Sequence, residues 1–190
     1  AGTMGNIPGS LTFIGNDGGT LQDAFAKANN MALGDTPNDA IVYGSKLYIV
    51  VNGDYCVWVV DRRKLNVLKQ ISTTALMGSD KGKQPRRIVA AGGSVYISTF
   101  DGYIAAIDTT DYTMTACYAA GSYPEGMAVA NGKLYVANSD LSQNKNPSIS
   151  EIDLATGNVT DHKDALITNP VSIATVGGAM YVLDSGWYDD

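Results

Sequence analysis

The chain has 190 residues, 45% of them hydrophobic, which is enough for one substantial core. A net charge of −6 argues against non-specific nucleic-acid binding and against docking on anionic lipid, both of which need clustered Lys and Arg. No apolar run reaches the roughly 20 residues of a membrane-spanning helix, and 21 glycines beside only 17% charged residues suit a sheet-rich chain with many tight turns.

Residues 1–10 are polar and Gly-rich, with neither the basic nor the apolar region of a signal peptide; a trimmed secreted chain has the same look. Leu11–Asn16 (LTFIGN) reads as a lone strand. Leu21–Met31 (LQDAFAKANNM) places Leu21, Ala24, Phe25 and Ala28 at helical intervals. It reads either as a short helix or as an outer strand with its approach loop.

A phrase then recurs four times: a proline and, eleven residues later, a tyrosine inside a β-branched run. The copies are Pro37 to Tyr48, Pro85 to Tyr96, Pro124 to Tyr135 and Pro170 to Tyr181, with prolines 48, 39 and 46 residues apart. The third copy is the cleanest. Gly126–Ala130 is a strand, Asn131-Gly132 a hairpin turn, Lys133–Asn138 the return strand, Ser148–Leu154 a third strand and Val159 onward a short outer one. Gly44, Gly92-Gly93 and Gly177-Gly178 mark the same hairpin in the other copies. Cys56–Asp61 and Tyr103–Asp108 are third strands ending, like the third copy's at Asp153, in an aspartate that opens a turn. A strand-only repeat of forty to fifty residues predicts an all-β fold, a β-propeller of four-stranded antiparallel blades. The blades fall at about 37–84, 85–123, 124–169 and 170–190, the last incomplete, with residues 10–36 belonging to another blade. About half of a larger propeller is therefore expected, the rival being closure by pairing with a second copy.

Because the first two strands of a blade are antiparallel, the loops before the first strand and after the second share one face. That face is expected to hold Asn52, Tyr55, Arg86, Phe100, Asp101, Tyr123, Glu125, Asn138, Asp140, Trp187 and Tyr188 as candidate ligand contacts. Aromatic rings among amides and hydroxyls suit a bulky, partly polar ligand; the same rings also suit packing between blades. The third copy carries an extra half-dozen residues here, in SDLSQNKNPS. Arg86-Arg87 is a basic pair that reads as solvated, or as a contact to a phosphate or carboxylate. Tyr48, Tyr96, Tyr135 and Tyr181 read as core. Asp61, Asp108 and Asp153 read as structural.

Enzyme motifs are scarce, and no catalytic residue is assigned. The single histidine, His162, sits in a polar outer segment and reads as a surface residue. No cofactor is expected. Calcium would find oxygens at Asp184, Asp189 and Asp190, or at Asn138 with Asp140, but none has EF-hand spacing. Cys56 and Cys117 read as two buried free thiols, and spacing leaves a disulfide open.

The phrases KLYIVVN from Lys46, SVYISTF from Ser94 and KLYVANS from Lys133 resemble the YVTN or YncE-like β-propellers, usually seven-bladed. Over residues 32–188 the chain resembles surface lipoproteins of gut Bacteroidetes that carry such a propeller. The resemblance implies a non-enzymatic ligand-binding protein at the cell surface or in the periplasm, a partner of a TonB-dependent outer-membrane transporter, with capture of a corrinoid (cobalamin) in one branch. A glycan- or protein-binding propeller is the first alternative, and a propeller enzyme of lyase or lactonase type the second.

Overall fold

The computed structural model describes residues 8–140 and 146–186. In chain order the elements are β1 (Phe13–Ile14), β2 (Thr20–Leu21), α1 (Ala24–Asn29), β3 (Pro37–Tyr43), β4 (Lys46–Val51), β5 (Cys56–Asp61), β6 (Val67–Ser72) and α2 (Thr73–Met77). There follow β7 (Pro85–Ala91), β8 (Ser94–Thr99), β9 (Tyr103–Asp108), β10 (Met114–Ala119), β11 (Pro124–Ala130), β12 (Lys133–Asn138), β13 (Ser148–Asp153), β14 (Val159–His162), β15 (Pro170–Val176) and β16 (Ala179–Asp184). Strands β3–β6, β7–β10 and β11–β14 form three four-stranded antiparallel meanders, and β15–β16 a two-stranded fourth sheet.

Each sheet is built the same way. The recurring proline starts the innermost strand, and the ladder slips just after it in all four copies. Such bulges free backbone N–H groups from the ladder, and these must find other partners. Ile88 donates to the Asp39 carboxylate of the preceding sheet at 3.0 Å, and Arg87 to Ser98 Oγ at 3.1 Å. The Asn131-Gly132 hairpin has positive φ at both residues, 52° and 73°, as a type I′ turn requires. The three repeated aspartates cap the next hairpin. Asp61 Oδ1 accepts from Arg63 and Lys64, Asp108 Oδ1 from Thr110 and Asp111, and Asp153 Oδ1 from Ala155 and Thr156. Those backbone donors hold the Asp61 and Asp153 carboxyls below their usual range.

The sheets pack face to face with β3, β7, β11 and β15 adjoining, so the first strands line one axis. In the first three copies the repeat tyrosine packs against the following sheet. Tyr48 is fully buried among Val95, Ile97 and Ile107 of the second sheet, and Tyr96 packs with Leu134 and Val136 of the third. Tyr135 is half-buried beside Ile173 of the fourth. Tyr181 departs from the expected core: it is 61% exposed, because no sheet follows it among the described residues.

At the other end of the row, α1 settles the choice at 21–31 in favour of a helix. Phe25 is buried against Trp58, 5.4 Å between ring centroids. Asn29 ties the helix to the first sheet by donating to Leu65 O and accepting from Val67 N. The segment 11–16 is not a lone strand. Phe13 pairs with Leu21 and Ile14 with Thr20 in a minimal hairpin. The helix α2 was not expected. Ser72 caps it by accepting from Ala75 N, and it drops Met77 into the core between the first two sheets. Both cysteines are free, but only Cys56 is buried; Cys117 lies exposed on the outer strand β10, where alternate residues face solvent.

Candidate functional site

Backbone hydrogen bonds gather the predicted loops onto one face. In every repeat the residue fifteen after the proline donates to the carbonyl of the residue before it: Asn52 to Thr36 at 3.0 Å, Phe100 to Gln84 at 3.1 Å, Ser139 to Tyr123 at 3.1 Å and Ser185 to Asn169 at 3.0 Å. Three of the four pre-proline residues, Thr36, Gln84 and Tyr123, take positive φ near 50°. None is glycine, so the close of these three loops carries some backbone strain. The sequence offered no signal for this conformation.

In the first two copies the residue after the proline reaches across to the next sheet. Asn38 Nδ2 donates to Arg86 O at 3.3 Å, and Arg86 Nη2 donates to Glu125 Oε1 at 2.6 Å. Glu125 also lies 3.8 Å from Arg87 Nη2 through its second oxygen. One carboxylate therefore faces two guanidinium groups, leaving a local charge of +1. The Arg86 guanidinium sits over the Phe100 ring at 5.2 Å, and Phe100 meets Tyr123 edge-on at 4.3 Å. Arg86, Phe100, Tyr123 and Glu125 thus form one cluster at the junction of the second and third sheets. Arg86 is held by Glu125 rather than solvated, while Arg87 stays partly exposed at the edge of the pair.

Beside this cluster the four innermost strands enclose an axial groove of about 300 Å3, lined by Asp39, Arg87 to Val89, Gly126, Met127 and Val171 to Ile173. Gly126 shapes it. A Cβ there would lie 2.5 Å from the Ser172 Cα, so only glycine lets the third and fourth sheets meet this closely. Both oxygens of Asp39 already accept backbone N–H groups, from Ala40 and Ile88. Arg87 is the cation of the groove, with its side chain 40% exposed.

The remaining candidates are dispersed. Asn52 is buried and donates to Pro85 O at 3.1 Å, a strut between the first two sheets. Asn138 is fully buried against Ser148, Ser150 and Gly121. Each amide is engaged with protein groups, Asn52 with the Pro85 carbonyl and Asn138 within its own sheet. Tyr55 is half-buried and its carbonyl accepts from Thr73. Asp101 is exposed and accepts from Lys83 N. Asp140 is buried and accepts from Asn146 N. Trp187 and Tyr188 lie outside the described residues, as do Asp189, Asp190 and the 141–145 part of the inserted loop. Asp184 accepts from the Thr168 hydroxyl and from Thr168, Asn169 and Gly186 N–H groups. Burial pushes its carboxyl up, but these donors together hold it below the usual range. Among the described residues no three His, Cys, Asp or Glu side chains converge on a metal position. His162 is exposed on the outermost strand, 3.1 Å from Glu151. Arg87, read in sequence only as part of the Arg86-Arg87 pair, lines the groove, and Gly126 as its shaping residue was missed. The signal was available, since they occupy one position two residues after the proline.

Antiparallel four-stranded sheets packed face to face about an axis define a β-propeller. The WD40 propeller domain of Doa1 superimposes with a TM-score of 0.63 at 13% identity, over 80% of this chain and 48% of that one. BamB from Moraxella catarrhalis gives 0.53 at 20% identity, over 74% and 40%. A candidate 6-phosphogluconolactonase from Bacteroides uniformis gives 0.66 at 10%, over 92% and 57%. At these identities the likeness shows the fold, and the chain spans about half the length of these three proteins. The chain belongs to the family described as a domain of unknown function, DUF5074, whose pattern it matches over residues 2–185. No curated protein matches it.

Proposed function

We propose that this chain is a ligand-binding part of a YncE-like propeller of about seven blades, carried by a surface lipoprotein that captures a corrinoid for a TonB-dependent outer-membrane transporter. The observation that carries the binding reading is the axial groove. It combines a lining of mixed polarity with one half-exposed cation, Arg87, next to a rigid aromatic and ion-paired cluster. Its carboxylate, Asp39, is already engaged by backbone donors, and the histidine lies on a distant outer strand. The groove therefore presents groups that hold a ligand and none poised to move a proton. A volume of about 300 Å3 is at the lower end for small-ligand sites, so it would seat one edge of a corrin with its amide side chains. The corrinoid, the transporter and the surface location rest on the resemblance of the repeat phrases to that lipoprotein branch.

Isothermal titration of cyanocobalamin into the folded protein tests the reading. Tight binding that weakens about tenfold or more in Arg87→Met supports it. A well-folded protein that leaves cyanocobalamin unbound overturns the corrinoid assignment and moves the search to glycans and protein partners.

A further inference from the structure

A second cavity lies away from the axis, where the β1–β2 hairpin, α1 and the β5–β6 turn meet. It measures about 330 Å3. Its floor is apolar and buried, formed by Ala24 and Leu65, and its wall presents Phe13 and Leu21, large side chains left 51% and 41% exposed. Its rim is cationic. Lys27 stands in the last turn of α1, and Arg63 and Lys64 follow Asp61 in the β5–β6 turn. That turn is fixed, because Asp61 Oδ1 accepts both their backbone N–H groups at 2.9 and 2.7 Å. Among the described residues none of the three side chains makes an ion pair. In a chain of net charge −6, three cations against the single carboxylate of Asp61 leave a local excess of positive charge around one apolar floor.

We propose that this groove binds an amphipathic monoanion, an alkyl carboxylate whose chain lies on Phe13, Leu21 and Leu65 and whose head group meets Lys27, Arg63 and Lys64. The two parts do different work. Each methylene removed from water contributes about 0.8 kcal/mol, roughly fourfold in affinity. Surface charge pairs add less and mainly fix orientation. The cavity admits a chain of limited length, so affinity rises with chain length and then levels off. This site shares no residue with the axial groove and stands independently of the corrinoid reading.

The test is calorimetric titration with hexanoate, octanoate and decanoate, kept below micelle formation, with decanol as the uncharged control. The expected result is about fourfold tighter binding per added methylene and decanol about tenfold weaker than decanoate. The triple variant Lys27→Ser, Arg63→Ser, Lys64→Ser should bring decanoate down to the level of decanol, and Leu21→Asp should abolish both, each with an unchanged unfolding temperature confirming the fold. Absence of binding across the series overturns the proposal, as does binding indifferent to these variants. Association of the protein that Leu21→Asp disperses, with no carboxylate bound, also overturns it and makes a second copy the occupant. Binding of anionic vesicles without monomeric decanoate overturns it in favour of a membrane contact.

Discussion

Glu125 faces two guanidinium groups while remaining only 9% exposed. Glu125→Gln would leave Arg86 half-buried without a counter-charge, and a lost charged hydrogen bond of this kind costs about 1–3 kcal/mol. The denaturant midpoint should fall accordingly, and Arg86→Met combined with Glu125→Gln should recover part of the loss. Tyr48 behaves in the opposite sense. Its hydroxyl is buried without a partner, and burial raises it to about 12. The neutral form is the one the fold accepts, so stability is intact below the ordinary value of about 10 and is lost as pH rises towards 12. Tyr48→Phe should match or exceed the parent at neutral pH and move alkaline unfolding upward. Asp184 carries the acid limb. Its lowered carboxyl stabilises the fold above the ordinary value of about 3.9, and that contribution disappears as pH falls through the depressed one. Asp184→Asn should therefore destabilise at neutral pH and converge with the parent on acid titration followed by circular dichroism. The turn aspartates were legible in sequence because their partners lie two or three residues away. Asn52 was not, because the carbonyl it serves, that of Pro85, belongs to another repeat.

Strands, hairpins and their order were legible because alternation and Asn-Gly or Gly-Gly turns are local signals. The elements that escaped depend on tertiary partners. The five-residue α2 is too short to show a period, and Thr73 at its start is fully buried, its hydroxyl donating to Tyr55 O and Gly82 O. Thr73→Val keeps the shape and the Thr73 N–H bond to Tyr55 O but takes the hydroxyl from Gly82 O, so a loss of about 1–3 kcal/mol is expected in urea unfolding. The close approach of β11 and β15 was equally hidden, since glycine in a strand does not announce its neighbour. Gly126→Ala should push these strands apart and destabilise by about 1–3 kcal/mol, with hydrogen exchange accelerated first in β15 and β16. An unchanged exchange pattern would mean that the two sheets are not coupled through this contact.

Across the whole molecule, packing quality falls from the second sheet to the fourth. Tyr181 and Leu183 stand on one face of β16, cross-strand from Ala174 and Ser172, and both exceed 60% exposure. An exposed apolar sheet face of this kind favours association. Sedimentation should show the chain associating with rising concentration, and Tyr181→Lys with Leu183→Lys should suppress this. A monomeric parent at high concentration would show that the face is tolerated in water. The repeat made the sheets predictable, yet it could not say which faces would find a neighbour, since that depends on what packs beyond the fourth sheet. The chain from Asn38 to Arg86 to Glu125 has a further consequence. Three sheets of near-identical outline carry three different residues at the same position, and one junction, Arg86 with Glu125, is read by side chains on both sides. Separate the second sheet from the third, and Arg86 loses its carboxylate. Order around the axis is thus written into single side chains, and it protects a repetitive chain from settling into a well-packed but wrongly sequenced arrangement.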